Sequence, residues 1–330
     1  MTADPGPLLF ALDPDVALGE RMAARLGRPL ARHEERDFGG GEHKIRPLEE
    51  VGGRDVHVLH SLYGDPEFSA NDKTIRLLFF IGALKDAGAA RVTAIAPYLA
   101  YSRKDRRTKP RDPISTRYLA GLFEAVGTDA VVTLEVHNVA AFENAFRTCR
   151  PTNVAAAGLL AAHIARTCGE DLLAVVTPDT GGAKRAELLR RQLERMQRRD
   201  VSKAIMDKHR SMGVVSGNLF AGDVADRTAI IVDDMIASGT TILRAAAACR
   251  EAGATRVVAA AVHALFAINS PLFGPGGPDR ILVTDSVPLP TGLGEAAGPR
   301  LEVVGAADLL ADVVARLHWG NAVSDLLPWD

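Results

Sequence analysis

The residues best suited to chemistry lie in one stretch, TAIIVDDMIASGTT, which runs from Thr228 to Thr241. An apolar β-branched run ends there in two adjacent carboxylates, and a small loop and an alanine-rich helical pattern follow. Loop amides and a helix N-terminus direct N–H groups at an anion such as a phosphate. Carboxylates suit ribose hydroxyls, or a metal beside them. A phosphorylated sugar fits both halves, although an acidic strand end before a turn and helix is also common in α/β proteins. The candidate residues are Asp233, Asp234, Ser238, Gly239, Thr240 and Thr241.

A second candidate is the basic segment PYLAYSRKDRR, which places Arg103, Lys104 and two further arginines around Asp105. Most such runs are solvated charged loops. This segment follows a strand-like run, and the chain as a whole has a formal net charge of −2. Positive charge is therefore concentrated at a strand end, where it can bind an anion. Arginine offers paired donors to phosphate oxygens, which favours a polyphosphate.

Three shorter segments also follow strand-like runs. In LEVHN, His137 lies at the end of an apolar strand-like run, although a lone histidine at such a position is more often structural than a ligand. Asp179 precedes two glycines in VVTPDTGGAKRA, and glycine permits close approach of the backbone to a ligand. In AIMDKHR, Lys208 and Arg210 lie at the end of a predicted short strand, for which an ordinary basic turn is the alternative.

Strand-like runs alternate with helical patterns almost throughout, which predicts βαβ units and a mostly parallel sheet. The 330 residues are enough for two domains. We expect a first domain at residues 1–149, a second at 150–305, and a C-terminal segment at 306–330 that packs on the first. Similar segments at Asp86–Tyr98 and Glu251–His263 indicate either a duplicated domain or the general likeness of helix-glycine-strand junctions.

Composition narrows the functional class. A chain that is 47% hydrophobic and 24% charged is typical of a globular protein. Its near-neutral charge argues against a general nucleic-acid or membrane-surface binder. Three separated cysteines without CxxC spacing predict reduced thiols and no zinc site. The N-terminus lacks a signal-peptide pattern, so we expect a soluble cytoplasmic protein.

Taken in order along the chain, these motifs resemble those of the ribose-phosphate diphosphokinases, which make 5-phosphoribosyl 1-diphosphate (PRPP). The segment from Thr228 is similar to their PRPP loop, the basic segment to their Tyr-x-Arg-Gln-Asp-Arg, and TPDTGG to their Ser-Pro-Asp-x-Gly-Gly. DFGGGEHK resembles their Phe-x-Asp-Gly-Glu, with Phe38 and Glu42 kept and Gly40 at the aspartate position. Lys104 and Glu135 are further departures. The resemblance spans roughly residues 8 to 327.

The resemblance implies two type I phosphoribosyltransferase-like α/β domains and transfer of a diphosphoryl group from Mg-ATP to ribose 5-phosphate. It implies that Lys208 and Arg210 are catalytic and that His137 and Asp179 organise Mg²⁺. Asp233, Asp234 and the loop after them would bind ribose 5-phosphate. A homo-oligomer built from dimers, in this family often a hexamer, is also implied. The ATP-binding residues would be Phe38, Glu42, Arg103, Lys104, Asp105 and His137.

Two alternatives stay open at this point. A phosphoribosyltransferase shares the PRPP loop, but it would not need His137, the basic segment or a second complete domain. A non-catalytic regulatory homologue would account for Gly40, Lys104 and Glu135, whereas the retained Lys208, Arg210 and phosphate loop argue against it.

Overall fold

The computed structural model describes residues 6–211 and 214–328, and it describes the backbone alone at residues 207–211 and 214–219. The strands in this part of the chain are β1 (Leu8–Ala11), β2 (His33–Asp37), β3 (His43–Pro47), β4 (Asp55–Leu59), β5 (Arg91–Ile95), β6 (Ala130–Leu134), β7 (Arg150–Val154), β8 (Leu173–Thr177), β9 (Ser202–Ser211), β10 (Val214–Gly222), β11 (Thr228–Ile236), β12 (Arg256–Ala264), β13 (Arg280–Thr284) and β14 (Leu301–Val304). The α-helices are α1 (Val16–Arg25), α2 (Ala70–Asp86), α3 (Ser115–Ala125), α4 (Val139–Glu143), α5 (Ala157–Cys168), α6 (Ala183–Gln197), α7 (Thr240–Glu251), α8 (Leu293–Ala297) and α9 (Ala307–Trp319).

Contacts divide the described chain into two compact units. Unit 1 comprises the residues up to Ala155 together with those from Ala306 onward, and unit 2 comprises Ala156–Gly305. Helix α9 joins unit 1 through polar contacts as well as packing. His318 Nδ1 lies 2.7 Å from Asp55 Oδ2, and Arg91 donates to the carbonyl of Leu317 at 2.9 Å.

The sheet of unit 1 has the strand order β1-β4-β5-β6-β7, with every pairing parallel. Its apolar runs are continuous because helices cover a parallel sheet and leave little of it for water. Phe10, Phe80 and Phe123 are fully buried in the resulting core. Strands β2 and β3 form a separate antiparallel hairpin.

The sheet of unit 2 has the order β10-β9-β8-β11-β12-β13-β14. Its pairings are parallel except that of β9 with β10. Strand β11 lies between β8 and β12, so the segments that follow β8 and β11 meet at one edge of the sheet. The predicted mostly parallel α/β fold is therefore confirmed.

Two boundaries differ from the expectation. The apolar run at Ala229–Val232 was expected to end before the acids, but β11 continues to Ile236, so Asp233 and Asp234 lie inside the strand. The predicted short strand before Lys208 extends to Ser211 and pairs with β10. Within the described ranges no helix has both the length and the apolar composition that a membrane crossing requires.

Candidate active site

In unit 2, Asp233 and Asp234 form a largely buried acidic pair near the carboxyl end of β11. The backbone N–H of Asp234 donates to Asp233 Oδ1 at 2.9 Å, and that of Met235 donates to Asp234 Oδ1 at 3.0 Å. Burial, followed by the hydrogen bond and the negative charge of Asp234, raises the pKa of Asp233 to about 7. The pair therefore favours a ligand that brings hydroxyl donors or positive charge.

Arg185, which is not among the residues predicted from the sequence, lies beside this pair. Its guanidinium nitrogens lie 3.8 Å from Asp233 Oδ1 and 4.0 Å from Asp234 Oδ2. Arg185 lies in the first turn of α6, directly after the glycine turn of TPDTGGAKR. Its position in that motif could have indicated a role in the site. It lies beside the acids because β8, which precedes this segment, and β11 are neighbours in the sheet.

The loop after β11 is shaped for an anion. Gly239 is the N-cap residue of α7, with φ of 77°, and no side chain caps the helix. Ser238 Oγ lies 2.9 Å from Thr240 Oγ1 and 3.4 Å from the Thr240 N–H, a weak contact that a ligand oxygen can replace. The first-turn amides of α7 and the hydroxyls of the predicted loop thus converge on one region, as in phosphate sites at helix N-termini.

A second segment, Ser270–Leu272, packs on this loop and was also missed from sequence. A Cβ built on Gly239 would lie 3.1 Å from Leu272 Cβ and 3.2 Å from Ser270 Oγ. The Ser270 hydroxyl donates to the Ser238 carbonyl at 3.5 Å. Glycine at 239 is therefore required both by its left-handed φ and by the segment packed against it.

Asp179, expected near the metal, has a capping role in the structure. Its Oδ1 accepts from the N–H groups of Gly181 and Gly182 at 3.0 and 3.3 Å. A Cβ on Gly182 would lie 2.4 Å from Thr177 Oγ1, so this turn needs glycine. The contacts stabilise the turn before α6, which carries Arg185.

In unit 1, the basic segment and His137 line an open cavity of about 250 Å³. Four of the six predicted ATP-binding residues meet there, whereas Phe38 and Glu42 do not line it. The complete lining is Arg103, Lys104, Asp105, Arg106, Thr108, Asp112, Pro113 and His137.

Local hydrogen bonds define the shape of the basic segment. Asp112 Oδ2 accepts from the Thr108 hydroxyl at 2.7 Å and from the N–H groups of Thr108 and Lys109 at 3.1 and 2.9 Å. The Thr108 hydroxyl and these amides lower the pKa of Asp112. At the other end, Thr116 Oγ1 donates to the Tyr101 carbonyl at 2.8 Å. The cationic side chains therefore extend from a shaped loop.

The turn that presents His137 begins with an unusual backbone. Glu135 is buried and has φ of 49°, a left-handed conformation that is uncommon for residues other than glycine. The next N–H, from Val136, donates to Asn153 Oδ1 at 2.6 Å. Asn153 is only 1% exposed, so this bond is buried and supports the turn from β7.

We expect Asn153→Ala to lower the free energy of unfolding by about 2 kcal/mol, because the Val136 N–H would remain buried without its acceptor. Urea unfolding followed by circular dichroism measures the change. Asn144→Ala is the control, since Asn144 is exposed and its side-chain amide donates to the Ala140 carbonyl of the adjoining short helix α4 at 2.7 Å. Equal effects of the two substitutions would contradict the supporting role of Asn153.

Phe38 and Glu42 lie at the tip of the β2–β3 hairpin. The Phe38 N–H donates to the Glu42 carbonyl at 2.8 Å, and Gly40 and Gly41 have φ of 87° and 85°. The Phe38 ring is 42% exposed. A Cβ built on Gly40 would meet no atom within 4 Å, but any side chain there would need a left-handed backbone, so Gly40 suits this turn.

The predicted catalytic side chains, Lys208 and Arg210, lie outside the described side chains. Their backbone belongs to β9, where Lys208 pairs with Asn218 and Arg210 with Val215 of β10.

No group of three or more histidine, cysteine, aspartate or glutamate side chains in the described residues is arranged to hold a metal. Mg²⁺ does not require one, because it commonly binds one or two carboxylates together with waters and substrate phosphates. The acidic pair provides such carboxylates, and a bound cation would offset both the burial and the neighbouring negative charge that raise the pKa of Asp233. The donor set therefore fits magnesium delivered with a phosphorylated substrate.

Comparison with known proteins identifies the family. The family model for the N-terminal domain of ribose phosphate pyrophosphokinase matches residues 8–127, and the phosphoribosyl transferase domain matches residues 151–268. A ribose-phosphate pyrophosphokinase of Chromobacterium violaceum is 35% identical over 99% of this chain and 96% of its own length. That of Burkholderia pseudomallei is 32% identical over 99% of both chains. The crystal structure of phosphoribosylpyrophosphate synthetase from Mycobacterium smegmatis matches with a TM-score of 0.84 and 30% identity, over 96% of this chain and all (100%) of that one. These matches, which cover both units, show that the chain belongs to the ribose-phosphate pyrophosphokinase family.

Proposed function

We propose that this protein transfers the diphosphoryl group of Mg-ATP to the 1-hydroxyl of ribose 5-phosphate, which yields PRPP and AMP. The main support for the proposal is the arrangement at the end of β11. The acidic pair is followed there by the N-terminus of α7, which no side chain caps. These features fit the hydroxyls and the phosphate of one sugar phosphate. The names of the full-length relatives support the same reaction.

In unit 2, Asp233 and Asp234 accept hydrogen bonds from ribose hydroxyls. Residues 238–241 bind the 5-phosphate through their amides and hydroxyls, with Gly239 allowing its close approach. Arg185 balances part of the negative charge of the two acids, 3.8 to 4.0 Å away. The sugar is thereby held at both ends, which orients its anomeric hydroxyl for attack.

In unit 1, Arg103 and Lys104 bind the triphosphate of ATP, and His137 holds its metal-bound side. The cavity that these residues share supports this assignment. Lys208 and Arg210 stabilise charge that develops on the transferred group, a role that needs cations and no covalent chemistry.

Magnesium would supply positive charge that neutralises the phosphate groups of the substrates. In unit 2, the carboxylates of Asp179, Asp233 and Asp234 are the residues that we assign to magnesium and its waters. In unit 1, we assign His137 to the metal-bound side of ATP. Asp179 Oδ1 also accepts the hydrogen bond that caps the glycine turn, which holds this carboxylate in place.

We also propose that the protein is cytoplasmic and forms a homo-oligomer built from dimers, up to a hexamer. The half-exposed Phe38, which lies outside the cavity of its own unit, fits a side chain that serves a second copy. Light scattering of the purified protein tests this assembly, and a monomeric mass contradicts it.

The decisive experiment is chromatographic measurement of AMP release by the purified chain given ATP and ribose 5-phosphate. We expect AMP and PRPP in equal amounts. Nucleotide formation from PRPP and a nucleobase would instead indicate a phosphoribosyltransferase, and activity only after mixing with a related synthase would indicate a regulatory subunit. Release of AMP at an unchanged rate in excess EDTA would contradict the role of magnesium.

A further inference from the structure

Asn138, which directly follows His137, uses both ends of its side-chain amide. Its Oδ1 accepts from the Ala141 N–H at 3.2 Å and caps α4, while its Nδ2 donates to Asp105 Oδ2 at 2.6 Å. Only the nitrogen end can donate to a carboxylate, so the two contacts together define the orientation of the amide.

The bond between Asn138 and Asp105 joins two parts of the cavity that are 33 residues apart in the chain. Asp105 lies between Lys104 and Arg106 in the basic segment, and Asn138 lies in the turn that carries His137. The hydrogen bond of Asp112 shapes the basic segment from within. That of Thr116 connects the segment to α3, the helix after it. The Asn138 contact instead sets the distance between its cations and the turn of His137.

The chemistry of this link favours an amide over an acid at residue 138. A neutral donor leaves the charge of Asp105 intact between its cationic neighbours, where it reduces their mutual repulsion. A carboxylate at 138 would still cap α4, because it accepts hydrogen bonds. It would lose the donor, however, and would place a like charge against Asp105.

We propose that Asn138 is a positioning residue for the triphosphate. Its hydrogen bond to Asp105 holds the adjoining cations at a defined distance from His137. This inference rests on the proposed function, since it names the part of the site that ATP occupies. In this proposal Asp105 shapes the basic segment and does not contact ATP directly.

Asn138→Asp is expected to raise KM for ATP about tenfold, which corresponds to about 1.4 kcal/mol, and to change KM for ribose 5-phosphate less than about twofold. The reversed pair, Asn138→Asp with Asp105→Asn, restores one donor and one acceptor. It is expected to return KM for ATP to within about threefold of the wild type, because interacting residues are non-additive. Asn144→Asp, which adds the same charge near the end of α4 without touching the cavity lining, is the matched control and should leave both KM values unchanged.

A second readout does not depend on catalysis. Trypsin cleaves after the arginines and lysine of the basic segment, and we expect cleavage at Arg103 to Arg107 to be several-fold faster in Asn138→Asp and to return to the wild-type rate in the reversed pair. An unchanged KM for ATP and an unchanged cleavage rate in Asn138→Asp would overturn the inference, as would failure of the reversed pair to recover. A wild-type chain that releases no AMP would refute the proposed function, while the cleavage rates would still decide the role of Asn138.

Discussion

Asp233→Asn is expected to lower kcat/KM for ribose 5-phosphate about 100-fold and, at the same time, to make the folded protein more stable at pH 8. The loss of activity follows because the charged acceptor of a ribose hydroxyl is replaced by a neutral amide. The gain in stability follows because the wild-type protein buries two carboxylates side by side, with Arg185 no nearer than 3.8 Å. The asparagine retains the oxygen that accepts from the Asp234 N–H.

The gain in stability of Asp233→Asn is expected to depend on pH. Burial and Asp234 raise the pKa of Asp233 to about 7 from an ordinary value of 3.8. The folded state therefore binds this proton more tightly than the unfolded state, and the associated stability is lost as the pH rises through about 7. Between pH 5 and pH 8 we expect the stability advantage of Asp233→Asn to grow by about 2 kcal/mol.

Urea unfolding at several pH values and steady-state kinetics measure the two effects. Asp200→Asn is the control, because this exposed acid lies in the same unit and its replacement should change the free energy of unfolding by less than about 0.5 kcal/mol. Wild-type kcat/KM in Asp233→Asn would remove this residue from the sugar site. A stability difference that does not vary with pH would contradict the buried charge pair.

Gly239→Ala is expected to lower kcat/KM for ribose 5-phosphate about 100-fold, which corresponds to the loss of one or two hydrogen bonds to a charged phosphate. The added Cβ would crowd Leu272 and Ser270 at 3.1 and 3.2 Å and would strain a residue whose φ is 77°. The loop must shift to relieve both, which moves the amides that we assign to the phosphate.

Gly253→Ala provides a matched control at the other end of α7. Gly253 also has a left-handed φ, of 89°, but its added Cβ would make only ordinary contacts with Ala225 at 3.5 Å. Both variants should lose about 1 kcal/mol of stability from the left-handed alanine, and only Gly239→Ala should lose affinity for ribose 5-phosphate. Equal kinetic losses in the two variants would indicate that general destabilisation, and not the phosphate loop, governs the effect.

Much of the fold could be predicted because its signals are local. Apolar runs such as Leu173–Thr177 alternate with helical patterns such as Ala183–Met196, and this alternation specifies a parallel α/β sheet. The hairpin of β2 and β3 was not predicted, because its strands are short and polar, HEERD and HKIRP. The long β9 was underestimated for the same reason, since apolar residues end at Met206 while the strand continues.

The sequence by itself determined the residue types of the candidate site and their order. Two acids before a glycine loop, a basic segment and a histidine after a strand are each contained in a few consecutive residues. The tertiary structure decided which of them meet: Arg185 faces Asp233 and Asp234, Ser270–Leu272 crowds Gly239, and Asn138 holds Asp105, whereas Phe38 lies outside the cavity. These contacts depend on which strands are neighbours in the sheet and join residues distant in the chain, so no local pattern specifies them.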